Sequence, residues 1–129
     1  MPATHPYDYA VIRVVPSVER DEFVNVGVIL YCADFDFARA RIELDVARLL
    51  ALAPHVDLEA VGRHLASFPA VCDGTGPLSG LSKRDRFLML VAPRSTMIQP
   101  SPVHTGLCDD PAETLDRLVA RLVRMRQGR

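Results

Sequence analysis

Apolar and polar residues alternate over residues 7–15 and then run apolar, with Tyr9, Val11, Val14 and Val15 set around Arg13. A segment this rich in Tyr, Val and Ile predicts a strand. Pro16 is expected to end it, because proline has no N–H for a ladder. After the polar link SVERDE, residues 23–32 form a nearly continuous run of Val, Ile and Leu. That predicts a second strand buried on both faces. Asn25 and Gly27 interrupt the run, which suggests a bulge or the close approach of another group. ADFD at 33–36 reads as a turn. Residues 37–44 (FARARIEL) alternate with Arg39, Arg41 and Glu43 on one side, the pattern of a half-exposed third strand. Three strands joined by short links predict an antiparallel meander.

The period then changes from two to that of a helix. Asp45 can cap VARLLALA, which stops before Pro54. Asp57 can cap LEAVGRHLASF, where Leu58, Val61, Leu65 and Phe68 share a face and Pro69 marks the end. CDGTGPLSG at 72–80 has the composition of a loop. Ser82 opens S-K-R-D, a capping-box pattern, for a helix running through residue 91. D-P-A-E at 110–113 places a cap at Asp110 and a proline at the first helical position. The stripe Leu115, Leu118, Val119 and Leu122 follows. Arg117, Arg121, Arg124 and Arg126 crowd the later turns, where cations suit the helix dipole.

Between these last two helices lies APRSTMIQPSPVHTG at 92–106, polar and punctuated by three prolines. Residues 95–99 predict a fourth strand, with Pro100 and Pro102 stopping the pairing. The expected fold is therefore α+β: one domain over residues 1–129, with an antiparallel sheet of about four strands covered by helices.

Composition narrows the classes. The chain has 129 residues, 49% hydrophobic and 24% charged, an ordinary globular mixture long enough to bury a core. Net charge is −1, which argues against nucleic acid as a partner. The charge is uneven. Residues 1–72 carry 6 Arg and 10 acids, while residues 73–129 carry 9 Lys or Arg and 6 acids. The basic half could support an anionic ligand locally. Cys32, Cys72 and Cys108 are widely spaced and form no disulfide framework, which points to a reducing, cytoplasmic setting. The first residues lack the basic start and apolar core of a signal peptide. VGVILYC at 26–32, the longest apolar run, is too short to span a bilayer.

Two constellations could carry chemistry. In the first, Arg94, Ser95, Thr96, Gln99, Ser101 and His104 lie close in sequence. Arg94 and the hydroxyls could hold a phosphate or carboxylate, and His104 could exchange protons near neutral pH. In the second, Arg13 and Glu22 could pair across the first hairpin with Asn25 beside them. No nucleotide-binding loop, nucleophile elbow or metal-ligand spacing is present, so no cofactor, metal or catalytic set is expected.

YDYAVIRVVP at 7–16, EFVNVGVIL at 22–30 and RFLMLVAPRSTMIQPSPVHTG at 86–106 resemble a bacterial family known only as a domain of unknown function, number 3037. The resemblance runs from about Tyr7 to Val123. It implies a small intracellular bacterial protein whose motif residues here include Arg13, Glu22, Asn25, Gly27, Arg86, Arg94, Ser95, Thr96, Gln99, Ser101, Pro102 and His104. It also implies company: members often neighbour a kinase resembling the HipA toxin, which is then a candidate protein partner. The first expectation is a non-enzymatic interaction or regulatory module working through the 94–106 segment. The alternative is a small enzyme or sensor that binds a phosphate or nucleotide through Arg94, Ser95, Thr96 and His104.

Overall fold

The structure, a computed structural model, describes residues 3–94 and 96–124. Its backbone is set by the first hairpin. β1 (His5–Ser17) and β2 (Glu22–Cys32) pair antiparallel, joined by a tight turn in which Asp21 takes a left-handed φ of 54°. The sequence pattern placed the end of β1 at Pro16, but the strand continues to Ser17. The ladder is irregular between the Val14 and Ser17 pairs, so Pro16 sits where no regular bond is lost.

The expected interruption of β2 is a bulge. Ile12 pairs with Gly27 and Arg13 with Asn25, leaving Val26 as the extra residue. The bulge exchanges the two faces of the strand. Val24, Val26 and Ile29 enter one core cluster, whereas Val28, Leu30 and Cys32 enter another. A run that is apolar at nearly every position can therefore fill two cores. Gly27 is required for closeness: a Cβ there would lie 2.6 Å from the Arg41 carbonyl and 2.8 Å from Ile42 Cδ1. Those atoms belong to β3 (Phe37–Ile42), which pairs with β2 after a 3-10 turn at Ala33–Phe35.

The other edge of β1 is covered by two short strands rather than one. β4 (Ile98–Pro100) pairs with residues 12–14, and β5 (His104–Cys108) pairs with residues 5–9, both antiparallel. Among the described residues the sheet thus has five strands, in the order β3-β2-β1-β4 with β5 beside β1. Pro100 does not stop the pairing as expected; it lies opposite Ile12. Met97 accepts from the Val15 N–H and Ser101 donates to the Val11 carbonyl. Bonds toward β1 therefore come from alternate residues on either side, and the ring nitrogen of Pro100 faces outward, where a missing N–H costs the ladder nothing.

The registers of β4 and β5 differ by one residue, so the outer strand is kinked at 101–103. At the kink the Ser101 hydroxyl accepts the Val11 N–H at 2.8 Å, and it donates to the Pro102 carbonyl at 2.9 Å. Ser101 is 3% exposed.

Among the described residues four helices complete the fold: α1 (Val46–Leu52), α2 (Leu58–Cys72), α3 (Lys83–Leu90) and α4 (Pro111–Leu122). Each starts where a local cap predicts. Asp45, Asp57, Ser82 and Asp110 accept first-turn N–H groups. α2 runs through Pro69 to Cys72 instead of ending there. Phe68 and Cys72 are both buried in the core, and that packing offsets one lost bond in the last turn. Residues from α1, α2 and α3 bury one face of the sheet and α4 buries the other, giving three layers.

Two substitutions test this account. Gly27→Ala is expected to destabilise by about 1–3 kcal/mol, because backbone must move to admit the methyl group. Ser101→Ala strands the buried Val11 N–H and is expected to cost about 1–3 kcal/mol. Urea titration followed by circular dichroism measures both. Wild-type stability in either variant would contradict the packing described.

Candidate functional site

The 92–106 segment is occupied mainly with building the outer strand. Thr96 Oγ1 donates to the Ile98 carbonyl at 2.8 Å, and Gln99 Nε2 donates to the Thr96 carbonyl at 2.8 Å. Ser101 serves the kink. Arg94 folds back on α3, donating to the Met89 carbonyl at 3.0 Å with its guanidinium 5.7 Å from the Phe68 ring centre. That places it in the layer of α2 and α3. His104 pairs with Tyr9 across β5 and β1, and its ring lies 5.4 Å from that of Tyr9 on the α4 side of the sheet. Arg94 and His104 therefore lie on opposite faces, and the anion site expected from Arg94, Thr96 and His104 is not assembled. Neighbours in sequence are separated because the chain crosses from the helical layer to the sheet edge between them. Ser95, the fourth member of that set, lies outside the described residues.

The second constellation is also rearranged. Glu22 bonds Arg20 at 2.6 Å rather than Arg13, and that hydrogen bond holds the Glu22 carboxyl below its ordinary range. Arg13 lies over the Phe23 ring at 4.2 Å, a cation–π contact. Asn25 Nδ2 donates to the Leu122 carbonyl at 3.0 Å, and Arg48 donates to the Val123 carbonyl at 3.0 Å. Both serve carbonyls that the end of α4 leaves unpaired. Arg124 clasps Glu43 through two bonds, at 2.6 and 3.0 Å, and Arg41 pairs with Asp116. Asn25, Arg41 and the Arg124–Glu43 pair thus fasten α4 to the sheet side, and Arg48 fastens its end to α1. Arg86, another motif residue, is 7% exposed and donates to the carbonyls of Leu81 and Cys72, tying the 72–81 loop to α3.

What the sequence pattern did not reveal is a groove between β1 and α4. It encloses about 510 Å³ and is lined by Tyr7, Thr114, Arg117, Leu118 and Arg121. Gly106 creates room on its β5 flank: a Cβ there would come within 2.6–2.8 Å of the Tyr7 ring and hydroxyl. Burial pushes the Tyr7 phenol above its ordinary range. Tyr9 and Cys108 add to that rise, and Arg121 and Arg117 oppose it. The phenol is thus protonated, and a donor, at neutral pH. Arg117 Nη2 reaches Thr114 Oγ1 at 3.3 Å. Among the described residues no carboxylate bonds Arg117 or Arg121, which stand one helical turn apart. Tyr7, Tyr9 and His104 continue the site as a row of rings, with centres 5.9 and 5.4 Å apart. The one sequence signal for this site was the excess of positive charge after residue 72.

Beneath the groove Cys108 is buried, and burial together with the Cys32 side chain raises its thiol to about 11. A thiol held that high is a poor nucleophile. Cys72, also buried, is raised to about 12. Among the described residues no three His, Cys, Asp or Glu side chains gather as a metal site needs, and no helix is long and apolar enough to cross a membrane.

The chain belongs to the family described as Protein of unknown function (DUF3037), which matches residues 9–123. No curated protein and no solved structure matches it.

The motif residue Asn25 is assigned above to fastening α4. Asn25→Ala is therefore expected to lower stability by about 1 kcal/mol. It should also speed amide exchange over the last turn of α4 while leaving the groove's Tyr7 resonances unmoved. A variant as stable and as protected as wild type would contradict that assignment.

Proposed function

We propose that this member of the DUF3037 family is a non-enzymatic interaction module that takes an extended segment of a protein partner along the outer edge of β5. One observation carries the reading. The outer strand pairs only with β1 among the described residues, so its far edge is open. Open edges are templates for strand addition, and proteins usually guard them with proline or charge. Pro100 and Pro102 guard the β4 half. Residues 103–108 (VHTGLC) hold neither a proline nor a carboxylate, lysine or arginine.

His104, Gly106 and Cys108 pair with Tyr9, Tyr7 and His5. By antiparallel alternation, the N–H and C=O groups of Thr105 and Leu107 face outward. Leu107 is 61% exposed and Val103 42%, which gives an added strand apolar contacts. Among the eight described residues of the nine expected at a site, no acid, base and nucleophile converge, which further favours binding over catalysis. The partner we propose is the HipA-like kinase that the family resemblance implies.

Thr105→Lys and Leu107→Lys place charges on this edge at exposed positions, where substitutions shift stability by only about 0.5 kcal/mol. Co-expression with a HipA-like kinase of the same genome, followed by titration calorimetry, is expected to show a complex. Each variant should weaken it about tenfold or more while melting like wild type. Absence of a complex with wild-type protein, or equal affinity in both variants, would overturn the proposal.

A further inference from the structure

We propose that the groove between Tyr7 and α4 binds the phosphate group of a small organic phosphate, independently of the β5 edge. Four donors line it: the guanidiniums of Arg117 and Arg121, the Thr114 hydroxyl and the Tyr7 phenol. Two guanidiniums at i and i+4 on one helix project in the same direction. Both are always charged, and each offers a planar fork of N–H groups that matches phosphate oxygens. Among the described residues, Arg20, Arg41, Arg63 and Arg124 bond carboxylates, and Arg48, Arg86 and Arg94 bond carbonyls. Arg117 and Arg121 bond neither.

Among the described residues no nearby acid forms an ion pair with either arginine. Asp116 bonds Arg41, and Asp110 caps the first turn of α4. Asp109 and Glu113 line a separate, smaller cavity of about 170 Å³ on the other side of Arg117. Thr114 is 4% exposed; its hydroxyl accepts from Arg117 and lies within hydrogen-bonding reach of the Cys108 thiol, and its single proton can turn either to that sulfur or to an anion in the groove. Tyr7 makes no side-chain hydrogen bond among the described residues, although its ring is fixed over Gly106. A carboxylate presents two oxygens in one plane and a single charge. A phosphate monoester presents three free oxygens spread in three dimensions, and its double charge matches two cations.

The volume sets the size of the ligand. About 510 Å³ is far more than a bare phosphate fills and falls in the range of small-molecule sites. The surface leading away from the arginines is aromatic, through Tyr9 to His104. A planar organic moiety attached to the phosphate can stack there. The ligand class is therefore a monophosphate with an aromatic or otherwise planar body.

The test is titration calorimetry and thermal melting with sodium phosphate, adenosine monophosphate and sodium acetate, each against sodium chloride at matched ionic strength. Phosphate is expected to bind and to raise the melting temperature, adenosine monophosphate to bind more tightly, and acetate to behave as chloride. Arg117→Gln and Arg121→Gln are each expected to lose about tenfold or more in affinity. Tyr7→Phe, which keeps the ring over Gly106, should lose several-fold. Arg84→Gln, an exposed arginine on α3, should bind as wild type. The proposal is overturned if phosphate acts no differently from chloride, if acetate binds as tightly as phosphate, or if the groove variants bind like wild type. Equal loss in Arg84→Gln would likewise reduce the effect to overall charge.

Discussion

The Val11 N–H is buried beside a strand that cannot offer it a backbone carbonyl, because the outer strand kinks between β4 and β5. The Ser101 hydroxyl takes its place. An unpaired amide at that depth costs as much as a typical core substitution, so the kink and the serine come together. The rest of that edge follows from the kink. β4 stays in register with residues 12–14, where Ile98 enters the larger core, and β5 shifts by one to lie against residues 5–9. The shift brings Gly106 opposite Tyr7, which frees the ring to lie over the outer strand and shape the groove beside α4.

On the other side of β1, the bulge at Val26 in β2 does related work by different means. It lets one apolar run serve two cores, and it turns Asn25 toward the end of α4. α4 is then held at its C-terminal end by Asn25, Arg48 and the Arg124–Glu43 clasp, while Leu115, Leu118 and Val119 pack beneath it. Polar bonds at one end and apolar contact along the length fix the helix in place. Arg117 and Arg121 therefore face the groove from a rigid support. Binding groups carried on a firmly seated helix lose less entropy when a ligand arrives.

Much of this architecture was legible in the sequence because it rests on local chemistry. Asp45, Asp57, Ser82 and Asp110 announced all four helix starts, and Asn25 with Gly27 announced the bulge. The two prolines were harder. What Pro100 costs depends on which way its ring nitrogen faces, and that is set by the register with β1 rather than by its neighbours. Pro69 is tolerated because Phe68 and Cys72 are pulled into the core. β5 escaped notice since H-T-G-L-C has weak strand character and owes its form to pairing with a segment at the other end of the chain. The same distance hid the groove. Tyr7 reads as an ordinary strand residue and the arginines of α4 as complements to a helix dipole. Conversely, Arg94 and His104 looked like a site through proximity in sequence that the fold undoes.

The central claim is that the 97–108 segment is a built structural edge, sealed toward β1 and open outward. Amide hydrogen exchange of the free protein, read residue by residue, tests it most directly. The account predicts slow exchange at Val11, Ser101 and Gly106, whose N–H groups are engaged within the sheet, and fast exchange at Thr105 and Leu107, whose N–H groups face outward. Protection of Thr105 and Leu107 in the free protein, or rapid exchange at Val11, would contradict it.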